Sequence, residues 1–200
     1  MYDWRKLSES DRSHVLKERK IRRFAWHAPP HFDYVGHLRF IIAAPCYEHK
    51  HVIGKSPERL AECESEIVRI SEESGIKLFA WSILPNHYQI LVQTESINEF
   101  LKRLGKFHGS SSHKWNGEDN TRGRQVWFTA VERSMRSDRH FYASLNYIHH
   151  NAVKHGYVPK WQDWPFSSAN EYLEKVGTEK AAKIWREYPV LDYGKEWDAE

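Results

Sequence analysis

The chain has 200 residues, of which 40% are hydrophobic and 28% charged, and it contains 13 histidines, 9 tryptophans and 2 cysteines. This length predicts one main domain with a full core, and the composition is typical of globular proteins. No apolar run is long enough to span a membrane and the first residues lack a signal-peptide core, so we expect a cytoplasmic protein without a membrane partner. Two cysteines exclude a disulfide framework and a cysteine-ligated zinc cluster.

The net charge of +3 at pH 7 is unevenly distributed along the chain. Residues 1–40 and 101–140 are net basic, whereas residues 41–100 and 141–200 are net acidic. Two basic stretches in a nearly balanced chain indicate a polyanionic partner that contacts part of the surface. Basic faces that are merely solvated are the alternative.

The first half of the chain predicts an extension followed by a strand and a helix. Residues 1–35 are charged and contain Pro29 and Pro30, which resist both helix and central strand, so they are predicted to form a basic N-terminal extension. The segment GHLRFIIAA predicts a buried strand that ends at Pro45. Ser56 and Pro57 predict the start of a helix that Gly75 ends.

Two strands, IKLFAWSI and YQILVQ, are predicted on either side of a turn at residues 84–87. Ser96 begins a second helix that runs through Phe107. The polar stretch at residues 109–124 predicts a loop, and VWFTAV predicts a fourth strand. A third helix is expected from Ser137 to about Asn151, and shorter helices in a C-terminal tail, residues 159–200.

This order of elements predicts an α+β protein with a ferredoxin-like split βαβ fold. Residues 36–158 would form the central domain, an antiparallel sheet with helices mainly on one face. The two terminal extensions flank it. Many unrelated activities use this fold, so the function has to be inferred from particular side chains.

Two groups of residues carry candidate chemistry. His87 and Gln89 alternate on one strand and therefore share a face, where an imidazole and an amide oxygen can bind a divalent metal. Tyr147, Asn151 and Lys154 share one face of the third helix, with a potential nucleophile, a further oxygen ligand and a cation for phosphate. Spacing alone also fits a turn-capping histidine, a packed tyrosine and solvated polar groups.

Three segments resemble one known family, the REP-associated tyrosine transposases of the His-hydrophobic-His endonuclease superfamily. LPNHYQILV is similar to the family's metal-binding strand, YIHHNAVKHGYV to its tyrosine helix and DWPFSSANEYL to its tail motif. The resemblance covers roughly residues 36–173, and the three segments occur in the family's order.

The resemblance implies particular roles for residues of this chain. It implies that Tyr147 is the nucleophile and that His87, Gln89 and Asn151 bind Mg²⁺ or Mn²⁺. Gln89 stands where most relatives have a second histidine, and Ala152 where they have proline. The implied activity is cutting and rejoining of single-stranded DNA at REP-like hairpins through a 5′-phosphotyrosine, by a nucleoid-associated monomer or homodimer.

The chemistry is consistent with these residue types. Attack on a phosphodiester requires an in-line nucleophile and positive charge on the non-bridging oxygens, which a divalent cation supplies. An unperturbed tyrosine has a pKa of about 10, so the phenol must lose its proton during attack. The three ligands are neutral, so we expect weak metal binding without DNA.

Further residues are candidates for contacts with DNA. We expect backbone phosphates to be bound by basic side chains. These are Lys154, Arg22, Arg23, Lys102, Arg103, Lys106, Arg133, Arg136 and Arg139. Three tryptophans, Trp26, Trp115 and Trp127, can stack on unpaired bases if they are exposed. One of His149, His150 and His155 can serve as the proton acceptor beside the tyrosine. The favoured alternative is that all three are surface histidines without a role in the reaction.

Two other functions fit the sequence. The first is a domesticated protein that binds such hairpins and cuts poorly, which the glutamine at position 89 suggests. The second is an RNA-binding ferredoxin-like module, which predicts exposed aromatic residues on the central strands.

Overall fold

The computed structural model describes residues 8–11, 13, 14, 17, 38–135 and 137–191. The chain divides into two compact units, Met1–Phe32 and Asp33–Glu200. In the first unit the described residues 9–11, 13, 14 and 17 are helical. Within the described ranges, none of the helices has both the length and the apolar character needed to cross a membrane.

The second unit contains four strands and five helices among its described residues. In chain order these are β1 (Leu38–Pro45), α1 (Pro57–Glu73), β2 (Lys77–Leu84), β3 (His87–Thr94), α2 (Ile97–Glu118), β4 (Val131–Ser134), α3 (Asp138–Lys154), α4 (Ala169–Val176) and α5 (Thr178–Glu187). Short 3₁₀ turns occur at Tyr47–His49, Ile53–Lys55 and Trp161–Asp163.

The strands form one sheet in the order β2-β3-β1-β4, and every neighbouring pair is antiparallel. Gln89 of β3 pairs with Ala43 of β1, and β1 in turn pairs Ala43 with Val131 of β4. This arrangement, with α1 and α2 as the two crossovers, confirms the predicted α+β, ferredoxin-like fold.

Helices α1 and α2 cover one face of the sheet, and α3 covers the other, so the helices are less confined to one face than predicted. Residues Phe40, Ile42, Tyr88, Ile90 and Val92 point to the face on which α1 and α2 pack, and they form the larger core with those helices. Ile41, Ala80 and Leu91 point to the other face and pack against α3. Successive side chains of a strand alternate between faces, so one strand serves both cores. The helix that carries Tyr147 therefore lies opposite α2.

Local sequence signals explain where the helices begin and end. The Ser56 side chain accepts a hydrogen bond from the Arg59 amide at the start of α1, and the Ser137 side chain does the same for the His140 amide in α3. Gly75 follows α1 with a φ of 64°, a left-handed conformation that only glycine adopts readily.

Two predictions about element boundaries are wrong. Residues 109–118 are helical and extend α2, because Trp115 is fully buried and ties this segment to the core. The strand predicted at VWFTAV lies later, at Val131–Ser134. Residues 126–128 instead run beside the end of β1, where Trp127 forms an isolated bridge with Cys46.

Candidate active site

The turn that precedes β3 is held from two sides. The Gly54 amide donates to the Pro85 carbonyl, and the Cys46 amide donates to the Asn86 carbonyl. A Cβ on Gly54 would lie 2.3 Å from the Pro85 Cβ and 2.7 Å from its Cα, so only glycine fits this approach. The first residue of β3, His87, is thereby fixed in position at the end of the sheet.

His87 and Gln89 lie on the sheet face that α3 covers, as their spacing predicts. Gln89 is 1% exposed and its Nε2 donates to the Tyr147 hydroxyl at 3.3 Å. Tyr88, between them, points to the opposite core. Gln89 is therefore a buried neighbour of the tyrosine and is not directed to solvent.

Tyr147, Asn151 and Lys154 lie along one face of α3, as predicted. Tyr147 is 1% exposed, and its hydroxyl also receives a hydrogen bond from the Lys154 Nζ at 3.4 Å. The same ammonium lies 4.9 Å from the centroid of the tyrosine ring. Two N–H donors, one of them cationic, thus point to the phenol oxygen, and both stabilise negative charge there.

Asn151 connects the helix to His87. Its Nδ2 donates to the His87 Nε2 at 3.0 Å, and the His87 Nδ1 donates to the Asn86 Oδ1 at 2.8 Å. This pattern leaves the lone pair of the imidazole on Nε2, the nitrogen that faces α3. A metal-binding histidine is commonly oriented in this way by an oxygen acceptor on its other nitrogen.

The side chains fit a weakly bound hard cation. Among the described residues, the buried atoms Gln89 Oε1 and Asn151 Oδ1 have no hydrogen-bond partner. An unsatisfied buried carbonyl costs about 1–3 kcal/mol, which coordination to a cation would offset. The His87 Nε2 accepts from the Asn151 Nδ2, so it would join these oxygens only after the Asn151 amide turns. The set is then one nitrogen and two neutral oxygens, suited to Mg²⁺ or Mn²⁺. No group of three or more His, Cys, Asp or Glu side chains in the described ranges is arranged to bind a metal.

The three histidines near the tyrosine helix have different surroundings. His155, the C-cap of α3, lies against His87 with ring centroids 5.2 Å apart. His149 is buried beside Ser168 and Trp161, and burial lowers its pKa to about 3. The surface position expected for His149 is therefore wrong. His150 lies against Trp185, and burial lowers its pKa as well.

The predicted DNA contacts are distributed over both faces of the sheet. Lys102, Arg103 and Lys106 are exposed on α2, on the face opposite Tyr147, and Lys102 pairs with Glu99. Arg133 is exposed on β4 and shares the α3 face, since it pairs with Ile41. Arg139 is exposed in the first turn of α3. Arg22, Arg23, Arg136 and Trp26 lie outside the described residues.

Trp115 and Trp127 cannot stack on DNA bases, because they are 0% and 7% exposed. Both belong to the larger core, where the Trp127 ring stacks on His108 at 4.3 Å. The suggestion that they bind unpaired bases is therefore wrong.

Two residues beside the site were not predicted as parts of it. Asn86 orients His87, and its place in the turn directly before the histidine is the signal that points to it. The sequence suggests His155 only as a proton acceptor. Its contact with His87 depends on how α3 docks on β3, which spacing along one element does not reveal.

Comparison with known proteins supports the resemblance. The chain is 28% identical over 103 residues to the REP-associated tyrosine transposase of Escherichia coli K12, a match that covers 51% of this chain and 59% of the relative. It is also 28% identical over 123 residues to a Haemophilus influenzae protein whose name assigns it to the same family, covering 54% of this chain and 66% of that one. The chain thus spans less than two thirds of either relative. No family model matches.

The fold has a solved counterpart. A structure of a REP-associated tyrosine transposase bound to a REP hairpin superposes with a TM-score of 0.57 at 16% identity. The match covers 74% of this chain and 86% of that one. By sequence and by fold, this chain is similar to the REP-associated tyrosine transposases, as its three motifs predict.

Proposed function

We propose that this chain cuts and rejoins single-stranded DNA beside hairpins, with Tyr147 as the nucleophile. The observation that carries the proposal is the convergence of five side chains from two elements. Gln89 and Lys154 donate to the Tyr147 hydroxyl, while His87 and Asn151 meet each other on the same side of the sheet. A buried tyrosine packed only for stability does not require a lysine and an unsatisfied glutamine beside its hydroxyl.

The proposed reaction is the one that the resemblance implies for Tyr147. The Tyr147 Oη loses its proton and attacks the phosphorus of a phosphodiester. The bond from phosphorus to the 3′-oxygen of the preceding nucleotide breaks, and that oxygen takes up a proton. A 5′-phosphotyrosine and a free 3′-hydroxyl result. Attack by a 3′-hydroxyl on the phosphotyrosine reverses the step, so rejoining needs no ATP.

Gln89 and Lys154 stabilise the charge that develops during attack. Their N–H groups already point to the Tyr147 oxygen, so they can stabilise negative charge on it without reorganisation of the site. Lys154 is exposed, so its ammonium is also accessible to a non-bridging phosphate oxygen of a bound strand. The Lys154 ammonium would thus both stabilise the phenolate and bind the phosphate.

His87, Gln89 and Asn151 would hold Mg²⁺ or Mn²⁺. When bound, such a cation polarises the phosphate and neutralises its charge. Because these three ligands carry no charge, we expect the protein alone to bind it weakly and the DNA phosphate to complete the site.

The proposed partner is hairpin DNA with an unpaired flank. The similar solved structure is of a transposase bound to a REP hairpin, and the basic surface of this chain suits a polyanion. Within a single chain, Tyr147 contacts Gln89 and Asn151 contacts His87, so a monomer has all the groups that the proposed reaction requires.

The experiment that tests this function is a cleavage assay on labelled hairpin oligonucleotides with single-stranded flanks. We expect a nicked product with a free 3′-hydroxyl when Mn²⁺ or Mg²⁺ is present, and none with EDTA. Tight hairpin binding without product, across metals and substrates, would instead indicate the domesticated binding protein.

The RNA-binding module has no specific support. It predicts exposed aromatic residues on the central strands, but Phe40 of β1 and Tyr88 of β3 are 1% and 0% exposed. The described parts of these strands therefore offer no aromatic stacking surface.

A further inference from the structure

A row of aromatic rings leads away from the candidate site. His155 contacts His87 at a centroid distance of 5.2 Å, and Tyr157 lies 6.3 Å beyond His155. Tyr157 in turn lies 5.5 Å from Trp164 and 6.4 Å from His51. We call the four rings His51, His155, Tyr157 and Trp164 the aromatic shelf. His155 and Tyr157 follow the end of α3, whereas His51 and Trp164 come from two other segments that the fold brings beside them.

The shelf is held in place by the backbone. The Trp164 indole donates to the Ile83 carbonyl of β2 at 2.9 Å, and the Tyr157 amide donates to the Ala152 carbonyl of α3 at 2.9 Å. The Tyr157 hydroxyl lies 3.5 Å from the His51 Nε2. A ligand would therefore find these rings ordered, at little entropic cost.

The rings are not closed off from solvent. His51 is exposed, and His155, Tyr157 and Trp164 are each partly exposed. Trp164 also packs against the larger core. A contiguous aromatic surface that is partly open to solvent is a candidate interaction site. Its position directly beside His87 makes it continuous with the site of the proposed reaction.

We propose that the aromatic shelf binds unpaired nucleobases of the DNA strand next to the phosphate that Tyr147 attacks. This inference rests on the proposed function. Aromatic rings stack on bases of any sequence, and such stacking is typical of proteins that bind single-stranded nucleic acid. The shelf would hold the strand while Lys154 binds a phosphate, so that base and backbone are fixed together.

Binding of two matched hairpins tests the shelf, in a Tyr147→Phe background that leaves the DNA uncut. One hairpin is blunt and the other has an unpaired flank containing 2-aminopurine, whose fluorescence falls on stacking. Tyr157→Leu should weaken binding of the flanked hairpin about 5-fold to 100-fold and restore the fluorescence. Binding of the blunt hairpin should not change. His51→Ala, which removes an exposed side chain, should also weaken binding of the flanked hairpin and leave that of the blunt hairpin unchanged.

Tyr142→Leu is the matched control, because Tyr142 is a partly exposed tyrosine of α3 that stacks on Tyr188, away from the shelf. If Tyr157→Leu and His51→Ala behave like this control, the shelf has no role. If Tyr157→Leu weakens binding of both hairpins equally and lowers the melting temperature of the protein, the proposal would also be overturned. The Tyr157 ring would then have a structural role only. A background protein that binds neither hairpin would overturn the proposed function as well.

Discussion

At the scale of single residues, the two ends of the Gln89 amide group have different surroundings. Its Nε2 donates to the Tyr147 hydroxyl, and its buried Oε1 has no hydrogen-bond partner among the described residues. The resemblance implies a histidine at this position in most relatives. An amide offers both an oxygen for a cation and an N–H for the phenol, so the replacement is compatible with the proposed reaction.

Gln89→Leu should separate activity from stability. It removes a donor to the nucleophile, so formation of the covalent adduct should fall at least about 100-fold. It also removes a buried unsatisfied oxygen, so the free energy of unfolding should stay the same or increase. Quantitative adduct assays and urea unfolding measure the two effects. Normal adduct formation in this variant would mean that the glutamine has no role in the reaction.

Gln89→His is the matched variant, because it restores the ligand that most relatives have. It should maintain or increase cutting with Mn²⁺. Loss of cutting equal to that of Gln89→Leu would show that the site depends on the amide itself.

The burial of His108 predicts how the free energy of unfolding depends on pH. Its ring stacks on Trp127 and lies 2.9 Å from the Tyr88 hydroxyl, and burial lowers its pKa to about 4. An unfolded histidine, with a pKa of about 6.5, takes up its proton at higher pH than the folded one. The folded state therefore loses stability as the pH falls from about 6.5 to 4.

His108→Gln should reduce this loss, whatever its effect on stability at pH 7. Thermal unfolding between pH 7 and pH 4 measures the difference, and His113→Gln, at an exposed position of the same helix, is the control. If the stability of His108→Gln depends on pH as that of the wild type does, His108 is not the cause of the loss at low pH.

The side chains of the site could be predicted from the sequence because each group lies on one regular element. The two-residue period of β3 brings His87 and Gln89 together, and the helical period of α3 brings Tyr147 and Asn151 together. Contacts between elements could not be predicted, since they depend on how α3 docks on the sheet. His155 and Tyr157 belong to this second class.

At the scale of elements, α2 shows why local signals failed. Residues 109–118 contain glycines and serines that favour loops. In the structure the Ser111 and Ser112 hydroxyls donate to carbonyls one turn earlier, and the buried Trp115 donates to Glu62 of α1. Burial of one tryptophan across two helices outweighs the weak helix propensity of its neighbours.

The C-terminus of α2 is joined to α1 by a buried ionic network. Asp119 pairs with Arg59, Lys55 and Arg124, and its side chain is 8% exposed. The hydrogen bond from the Arg59 guanidinium holds the pKa of Asp119 well below its usual range.

Asp119→Ala should reduce the free energy of unfolding by about 3 kcal/mol, because it leaves the buried Arg59 incompletely paired. Glu73→Ala, which breaks an exposed pair with Arg69, should cost less than about 0.5 kcal/mol. Guanidinium unfolding of both variants measures the contrast. Equal effects would show that the network contributes no more than a surface pair.

At the scale of the whole molecule, the sheet separates two surfaces that carry candidate DNA-binding residues. The α3 face carries Tyr147, Lys154 and Arg133, whereas the exposed cations of α2 lie on the other face. A hairpin that contacts both faces would have to pass around an edge of the sheet. The cations of α2 would then bind the double-stranded stem of the hairpin and increase affinity, without contacting the phosphate that reacts.

Simultaneous replacement of Lys102, Arg103 and Lys106 by alanine tests this arrangement. The salt dependence of hairpin binding should become shallower by up to about three units, since each phosphate contact contributes about 0.9. Adduct formation at saturating DNA should be unchanged. Lys180→Ala with Lys183→Ala, at exposed positions of α5, is the control. An unchanged slope would place α2 away from the DNA.

The covalent adduct of Tyr147 tests the central claim most directly. Tyr147→Phe removes one oxygen and keeps the ring, so folding and hairpin binding should be preserved. Wild type and Tyr142→Phe should form a protein–DNA adduct that survives a denaturing gel, with the 5′-phosphate mapped to Tyr147 by mass spectrometry, and Tyr147→Phe should form none. An adduct that persists in Tyr147→Phe, or its absence from the wild type with every metal and hairpin, would contradict the account.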